Sequence, residues 1–373
     1  MKKRRILAIT GTRADYGIYR PIAKAIAASE YLSLGFIVIG MHLRSEFGHT
    51  VDAINEDGFL IVSEIDSLDT EDTPEATVAY IGRTVIACAD VLKKIRPDIL
   101  LLLGDRGEQL AGAIAAASMG IPIAHLHGGE SSGTIDDAFR HSITHMANLH
   151  FTSAQVHADA VVRMRGDDKG VFVVGASGLD TIRPLKPIPK DILFAQTTFD
   201  AALPLLIFVQ HPDTLDPLPT HEQIACSLKA LESFAGNILL LGANADPGGR
   251  QFNDMLHAFT SEGTHRTFCM SVPHETFLSW LSVADILVGN SSSGIIEAAS
   301  FHLPVVNIGD RQRGRLQSGN AIDVPYDTAR IEEAISRALT DETFKTKIRS
   351  IQNAYGDGHT ADKIVAILSK TPL

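Results

Sequence analysis

Short runs of aliphatic residues recur along the chain, and each is followed by a stretch in which apolar and polar residues are mixed. The runs are apolar on both faces, which is typical of parallel strands covered by helices on both sides of a sheet. In the first half of the chain these runs predict strands at 5–10, 35–40, 98–103, 121–126, 149–153 and 171–175.

The mixed stretches have the length and periodicity of helices. In the first half they predict helices at 17–28, 74–95, 107–119 and 153–165. The same alternation restarts later, with strands at 203–209, 237–242, 284–289 and 304–309 and helices near 221–233, 249–262, 274–282 and 328–340. Repeated strand–helix order predicts an α/β protein with two doubly wound Rossmann-like domains that face a cleft.

A proline-rich segment separates the two halves. The sequence RPLKPIPKDI, residues 183–192, contains three prolines within six residues, which cannot continue a helix or a central strand. We interpret it as the linker between an N-terminal domain, 1–182, and a C-terminal domain, 183–355. The final segment, 356–373, contains a predicted helix at 360–370, and we expect it to pack back on the first domain.

Charge and cysteine content narrow the function classes. A net charge of −11 argues against a nucleic-acid-binding protein, although a local basic pocket for a small anion stays possible. Three widely spaced cysteines without CxxC spacing fit a reducing cytosol and predict neither a disulfide framework nor a zinc site. No run approaches the ~20 apolar residues of a membrane span, and the N-terminus lacks a signal-peptide cleavage pattern. We therefore expect a soluble, cytoplasmic protein.

The stretch AHLHGGESSGTIDDAFRH, residues 124–141, crowds titratable groups behind a buried strand. Arg140 and His141 lie at helical spacing from Asp136 and Asp137, which predicts that some of these residues pair with each other. A metal site is one alternative, since HxH with carboxylates resembles a zinc ligand set, but the spacing fixes no further ligand. Because ligands of such folds bind beyond the carboxyl ends of strands, we favour a reaction centre that includes Arg140.

Two more loops of the first half follow strands. The loop TGTRADYG, 10–17, places two glycines and Arg13 before a helix, which suits an anion, although it matches neither GxGxxG nor a Walker loop. The loop LLLGDRGEQ, 101–109, carries Asp105 and Arg106. Asp105 is placed either to cap the following helix or to act in a site, whereas the helix dipole disfavours Arg106 there.

Three loops of the second half carry candidate site residues, and two of them could bind an anion. His211 precedes a proline that fixes its backbone, and a structural role is the alternative. The sequence GNSSSGIIE, 289–297, can cradle a phosphate with its hydroxyls and Gly294, or simply cap a helix. Three arginines between 311 and 315 form either an anion trap or a solvated surface paired with acids.

These motifs occur together and in order: GTRADYG, GDR, HGGESSGTIDD, HPDT, GANAD, GNSSSGIIE and NIGDRQRGR. In that combination, from residue 10 to 315, the chain resembles the hydrolysing UDP-N-acetylglucosamine 2-epimerases of the sialic acid pathway. The resemblance implies a glycosyltransferase-B-type fold and conversion of UDP-N-acetylglucosamine and water to N-acetylmannosamine and UDP. It also implies no cofactor, no metal, and a homodimer or homotetramer. Related enzymes of legionaminic acid pathways act on a 2,4-diacetamido-trideoxy sugar, which is an open alternative.

The resemblance also implies site residues. The acid and base candidates fall on Asp105, Asp136 and the segment 127–130, and His211 faces the sugar–phosphate. Arg106 lies beside the sugar, and the positions matching UDP contacts are Arg13, Asn244, Ser291, Ser292, Glu297 and Arg311. Many members carry Glu where this chain has His127, so either Glu130 supplies the carboxylate or His127 transfers the proton itself.

The residue types suit the reaction. Removing the C2 proton of the sugar while UDP departs needs a base and cations on the diphosphate, and adding water needs a second proton-transfer group. A retaining glycosyltransferase of the same fold is an alternative, but it leaves the acids of the first domain without a task. A nucleotide-sugar-binding regulator is another, and it should tolerate loss of Asp105.

Overall fold

A computed structural model describes residues 3–68, 73–131, 136–243 and 248–371 of the chain. The described residues divide into two compact units. The first contains residues up to 183 together with the C-terminal segment from 355, and the second contains residues 184–354.

The first unit is built on a seven-stranded parallel sheet in the order β3-β2-β1-β4-β5-β6-β7. Its strands are β1 (Arg4–Thr10), β2 (Leu32–Ile39), β3 (Ile61–Ile65), β4 (Ile99–Leu103), β5 (Ile123–Leu126), β6 (Leu149–Thr152) and β7 (Val171–Val173). Its helices are α1 (Arg13–Ala27), α2 (Val51–Glu56), α3 (Pro74–Ile95), α4 (Gly107–Ser118), α5 (Asp136–Met146), α6 (Gln155–Arg165) and, at the C-terminus, α14 (Thr360–Lys370).

Both faces of this sheet are covered. Every residue of β4 is buried, as expected for a central parallel strand. The core on one face includes Ile364 and Leu368 of α14, and that on the other includes Leu92 of α3. The C-terminal helix is also tied by hydrogen bonds, since the Asp180 carboxylate accepts the backbone N–H groups of Thr360 and Ala361 at 2.9 and 2.6 Å.

The second unit repeats this plan with a six-stranded parallel sheet in the order β10-β9-β8-β11-β12-β13. Its strands are β8 (Leu205–Val209), β9 (Asn237–Leu241), β10 (Arg266–Cys269), β11 (Ile286–Gly289), β12 (Val305–Ile308) and β13 (Ala321–Val324). Its helices are α7 (Lys190–Phe194), α8 (Thr220–Leu231), α9 (Gly249–Ser261), α10 (His274–Val283), α11 (Ser292–Ile295), α12 (Thr328–Thr340) and α13 (Glu342–Arg349).

In both sheets the first strand lies beside the fourth, which is the strand order of a Rossmann domain. The predicted fold class, α/β with two doubly wound Rossmann-like domains, is therefore confirmed. This order also creates a switch point in each sheet, where the loops after two neighbouring strands diverge. The switch points lie after β1 and β4 in the first unit and after β8 and β11 in the second.

Helix α1 begins earlier than predicted. It starts at Arg13 instead of residue 17, because Thr12 and Asp15 form a capping box that fixes the first turn. Gly17, which the predicted boundary places at the start of the helix, therefore lies inside it. Within the described residues, no helix combines the length and apolarity that a membrane span requires.

Candidate active site

Arg140 of α5 lies at the centre of a buried polar cluster in the first unit. Its guanidinium forms an ion pair with the carboxylate of Asp105, which follows β4. It also donates a hydrogen bond to the carbonyl oxygen of His127, at 2.9 Å, and lies 3.9 Å from the Glu130 carboxylate. The Arg140 side chain is only 4% exposed, so one buried cation joins the loops that follow β4 and β5.

His127 and Glu130 contact each other directly. The Nδ1 atom of His127 lies 2.7 Å from Oε1 of Glu130, and both side chains are nearly buried. His127 has a φ of 61°, a left-handed conformation that costs a non-glycine residue energy and is often found at functional sites. The hydroxyl of Ser153, which follows β6, donates to the same Glu130 oxygen at 2.5 Å and lies 2.8 Å from Nδ1 of His157.

His125 holds the backbone next to Asp105. Its Nε2 atom donates to the carbonyl oxygen of Gly104, the residue before Asp105, at 2.8 Å. Burial lowers the pKa of His125 to about 3, so the ring is neutral. Among the residues that the structure describes, no three His, Cys, Asp or Glu side chains are grouped to hold a metal ion.

A second cluster lies at the switch point of the first sheet. The Asp15 carboxylate accepts the backbone N–H groups of Gly11 and Thr12, both at 3.2 Å, and burial raises its pKa to about 6. Glu108, which is 3% exposed, packs directly against Gly11. Its carboxylate accepts a hydrogen bond from Nε of Arg106 at 3.1 Å, so Glu108 orients this arginine.

In the second unit, Asn290 joins the loops at the switch point. Its side-chain amide accepts the backbone N–H of His211 at 2.7 Å and donates to the His211 carbonyl at 2.8 Å. The backbone carbonyl of Asn290 accepts hydrogen bonds from the side chains of Gln312, at 2.8 Å, and Arg311, at 3.4 Å. Burial, with a smaller effect of the Arg311 charge, lowers the pKa of His211 to about 3, so His211 is neutral at physiological pH.

The serine-rich loop has the predicted capping arrangement. Ser291 caps the short helix α11, and its hydroxyl accepts the backbone N–H of Ser293 at 3.3 Å. Ser292 begins this helix, and Gly294 is buried where a side chain would meet Val305. Glu297 follows the helix and is half-buried. Ser291 and Ser292 directly follow Asn290, whose side chain binds the backbone of His211.

The structure thus gathers the predicted site residues into separate groups. Asp105, His127, Glu130 and Arg140 form one cluster, whereas Arg106 belongs to the cluster around Glu108. Arg13 is exposed at the first position of α1, and Asp136 begins α5. His211, Ser291, Ser292, Gly294, Glu297 and Arg311 lie around Asn290 in the second unit. Asn244 lies outside the described residues.

One local prediction was wrong, and one of the two alternatives for Asp105 is excluded. Arg140 and His141 do not pair with Asp136 or Asp137, because Arg140 binds Asp105 on another element instead. Asp105 does not cap α4, since Arg106 occupies the N-cap position and makes no side-chain capping bond. Of the three clustered arginines, Arg313 pairs with Asp310 at the surface, as the solvated alternative predicts.

Several residues of these clusters were missed, namely Asp15, Glu108, Ser153, His157 and Asn290. Ser153 and His157 directly follow β6, which neighbours β5, so the strand-end rule applies to them as it does to His127. The sequence places Ser153 where the predicted strand 149–153 meets the predicted helix 153–165, so it does not stand out as a loop residue.

The sequence profile of the family described as UDP-N-acetylglucosamine 2-epimerase matches residues 24–369. The chain is 37% identical to the UDP-N,N'-diacetylbacillosamine 2-epimerase (hydrolyzing) of Legionella pneumophila, over 99% of this chain and 97% of that protein. It is 33% identical to the GDP/UDP-N,N'-diacetylbacillosamine 2-epimerase (hydrolyzing) of Campylobacter jejuni, over 87% and 85% of the two chains.

A solved structure has the same fold. The UDP-GlcNAc 2-epimerase of Neisseria meningitidis, bound to UDP-GlcNAc, superimposes with a TM-score of 0.84 at 17% identity, covering 98% of this chain and all of that chain. Because the family profile spans most of the chain and the first two relatives exceed 30% identity over most of it, the chain belongs to the UDP-N-acetylglucosamine 2-epimerase family.

Proposed function

We propose that this protein is a hydrolysing UDP-sugar 2-epimerase. It converts a UDP-2-acetamido sugar and water to UDP and the free sugar inverted at C2. The observation that carries the proposal is the buried cluster of Asp105, Arg140, His127 and Glu130, in a chain of this family.

The reaction needs two proton transfers at one carbon. A base removes the C2 proton, the C1=C2 bond forms, and the C1–O electron pair leaves with UDP. Water then adds its hydroxyl to C1 while an acid returns a proton to C2 from the opposite face. The first unit supplies base and acid candidates in His127, Glu130, Asp105 and Asp136. A positioned acid or base contributes on the order of 10²–10⁴-fold to such a step.

The second unit supplies the groups that bind UDP. Arg311 offers a charge to the diphosphate, and the hydroxyls of Ser291 and Ser292 offer hydrogen bonds. His211 is neutral, so it acts as a hydrogen-bonding group on the sugar–phosphate instead of a second cation.

We propose that the preferred substrate is UDP-N,N'-diacetylbacillosamine, a 2,4-diacetamido-2,4,6-trideoxy sugar nucleotide. The relatives at 37% and 33% identity carry N,N'-diacetylbacillosamine in their names. UDP-N-acetylglucosamine is the second candidate, because the family description names it. The two sugars differ at C4 and C6, so the chemistry at C1 and C2 is the same for both.

Parallel reactions in heavy water test the proposal. Each sugar nucleotide is incubated with the protein, and NMR follows free UDP and deuterium at C2 of the released sugar. We expect both products, with a higher kcat/KM on the diacetamido sugar. Release of UDP without deuterium at C2 would reject the epimerase, and a higher kcat/KM on UDP-N-acetylglucosamine would reject only the substrate preference.

A further inference from the structure

We propose that His127 removes the C2 proton through its Nε2 atom, and that Glu130, Ser153 and His157 are positioning residues that fix the ring in the tautomer this requires. The inference rests on the proposed function and assigns a role to each member of one hydrogen-bonded chain. In the step, the C2 proton binds Nε2, the C2–H electrons form the C1=C2 bond, and the C1–O electrons leave with UDP.

The direction of the first hydrogen bond follows from the chemistry of its partners. An ionised carboxylate only accepts hydrogen bonds, so the 2.7 Å contact between His127 Nδ1 and Glu130 requires the proton on Nδ1. In a neutral imidazole, Nε2 then carries a lone pair. Within the described part of the chain, Nε2 of His127 has no hydrogen-bond partner, and the side chain is 11% exposed, so this atom is available to a substrate.

The hydrogen bonds of Ser153 and His157 enforce that direction. The Ser153 hydroxyl donates a hydrogen bond to Glu130 at 2.5 Å, so its oxygen accepts the bond on its other side. Nδ1 of His157, 2.8 Å away, must then be the donor. The Glu130 oxygen thus receives two hydrogen bonds, which stabilise the charge of a side chain that is only 5% exposed. A carboxylate held in this way orients His127 and balances the imidazolium that forms, as in other histidine–carboxylate pairs.

The backbone of His127 is held just as firmly. Its carbonyl accepts from Arg140, and its N–H donates to Phe151 of β6 at 3.0 Å. These bonds keep the residue in its left-handed conformation. Glu130 is less suited to be the base, because its Oε1 atom already accepts two bonds and its Oε2 atom lies 3.9 Å from the Arg140 guanidinium.

The first test measures the tautomer without relying on activity. In the full-length protein with ¹⁵N-labelled histidine, NMR distinguishes a protonated from an unprotonated ring nitrogen, and His127→Gln identifies the signals by their loss. We expect a proton on Nδ1 of His127 and none on Nε2 in the free protein. A proton on Nε2 would overturn the inference, whether or not the protein is an epimerase.

The second test is a double-mutant cycle on kcat. His127→Gln and Glu130→Gln are each expected to lower kcat by on the order of 10²–10⁴-fold, and the double variant to lose little more. A merely structural Glu130 would give effects that multiply, which would overturn the inference. If the unmodified protein neither releases UDP nor incorporates deuterium at C2, the proposed function itself fails.

The third test concerns Ser153 and His157, which contact Glu130 and each other. His157→Asn keeps a donor where Nδ1 lies, whereas His157→Leu removes it. We expect His157→Leu and Ser153→Ala to lower kcat about tenfold with little change in KM, and His157→Asn to retain most of the turnover. Ser131→Ala is the control, because its exposed hydroxyl bonds Asp137 instead of Glu130. Equal kcat values for the Leu and Asn variants would contradict the positioning role of His157.

Discussion

The side-chain amide of Asn290 closes two hydrogen bonds on the backbone of a single residue, His211. It accepts the His211 N–H at 2.7 Å and donates to the His211 carbonyl at 2.8 Å. Asn290 follows β11 and His211 follows β8, and these strands are neighbours at the switch point of the second sheet. One fully buried amide therefore fixes the relative position of two loops that we propose to bind UDP.

Replacing Asn290 by Asp should weaken substrate binding. The change puts an oxygen opposite the His211 carbonyl, so one hydrogen bond is lost and two acceptors face each other. We expect KM for the UDP-sugar to rise about tenfold, measured by steady-state UDP release.

Asn237 provides a matched control for that variant. Its amide binds both backbone groups of Asp200, at 2.8 and 2.7 Å, but at the start of β9, away from the loops after β8 and β11. Asn237→Asp should lower the melting temperature about as much as Asn290→Asp does and leave KM unchanged. An equal rise of KM in both variants would mean that Asn290 acts only through stability.

His125 should position Asp105 through the Gly104 carbonyl. The amide nitrogen of Gln can replace Nε2 of histidine, whereas that of Asn lies nearer Nδ1 and cannot reach Gly104. We therefore expect His125→Asn to lower kcat on the order of 10²-fold, and His125→Gln to retain most of it. Thermal unfolding checks that both variants are folded, and equal kcat values would remove Gly104 from the explanation.

Alanine at Gly11 and alanine at Gly17 should have different effects on activity, because only Gly11 lies against a side chain of the candidate site. A side chain at Gly11 would overlap the Glu108 carboxylate, so Gly11→Ala should displace Glu108 and the Arg106 that it orients. We expect kcat/KM for UDP release to fall at least tenfold, which is about the effect of losing one charged hydrogen bond.

Gly17 is the control, because it lies inside α1 with open space where a Cβ would be. Gly17→Ala should raise the free energy of unfolding by about 0.5–1 kcal/mol and leave kcat/KM unchanged. If both variants lost activity, the cause would be a general sensitivity of the segment 11–17 to added side chains and not the Glu108 contact.

The central strands and most helices were predictable because burial on both faces produces long aliphatic runs. The strands that were missed, β3, β10 and β13, all lie at sheet edges. Edge strands are half-exposed and carry polar residues, as Arg266 and Thr267 in β10 do, so their sequences lack an aliphatic run. Helix α5 was missed for a related reason, since most of its residues are polar and only its inner face is buried.

The clustering of the candidate site residues was predictable, but the pairs that they form were not. Strand ends identified the loops that carry Asp105, His127 and His211, because strand order alone brings such loops to one edge of a sheet. Which charges meet depends on how α5 lies over the sheet, and that placed Arg140 against Asp105 instead of its own helical neighbours. Buried partners such as Asn290 and Ser153 carry no charge, so they do not stand out in a sequence.

Asp15 should make the protein less stable as the pH rises from about 4 to 6. Burial raises its pKa from 3.8 to about 6 in the folded state, so in that window the unfolded chain loses the proton while the folded chain keeps it. Ionisation therefore favours unfolding, by on the order of 3 kcal/mol above pH 6. Asp15→Asn should remove this slope and raise the free energy of unfolding at pH 8, measured by urea denaturation across pH.

Asp57 supplies the opposite case for the same experiment. Its hydrogen bond to Arg20 lowers its pKa, so its contribution to stability is present above the pKa of the unfolded chain and is lost as the pH falls through the folded-state value. Asp57→Asn should therefore lower stability at pH 8, and the difference from the unmodified protein should shrink as the pH falls below 3.8. If Asp15→Asn also lowered stability at pH 8, the charged form of Asp15 would be favoured by the Arg106 charge more than it is opposed by burial.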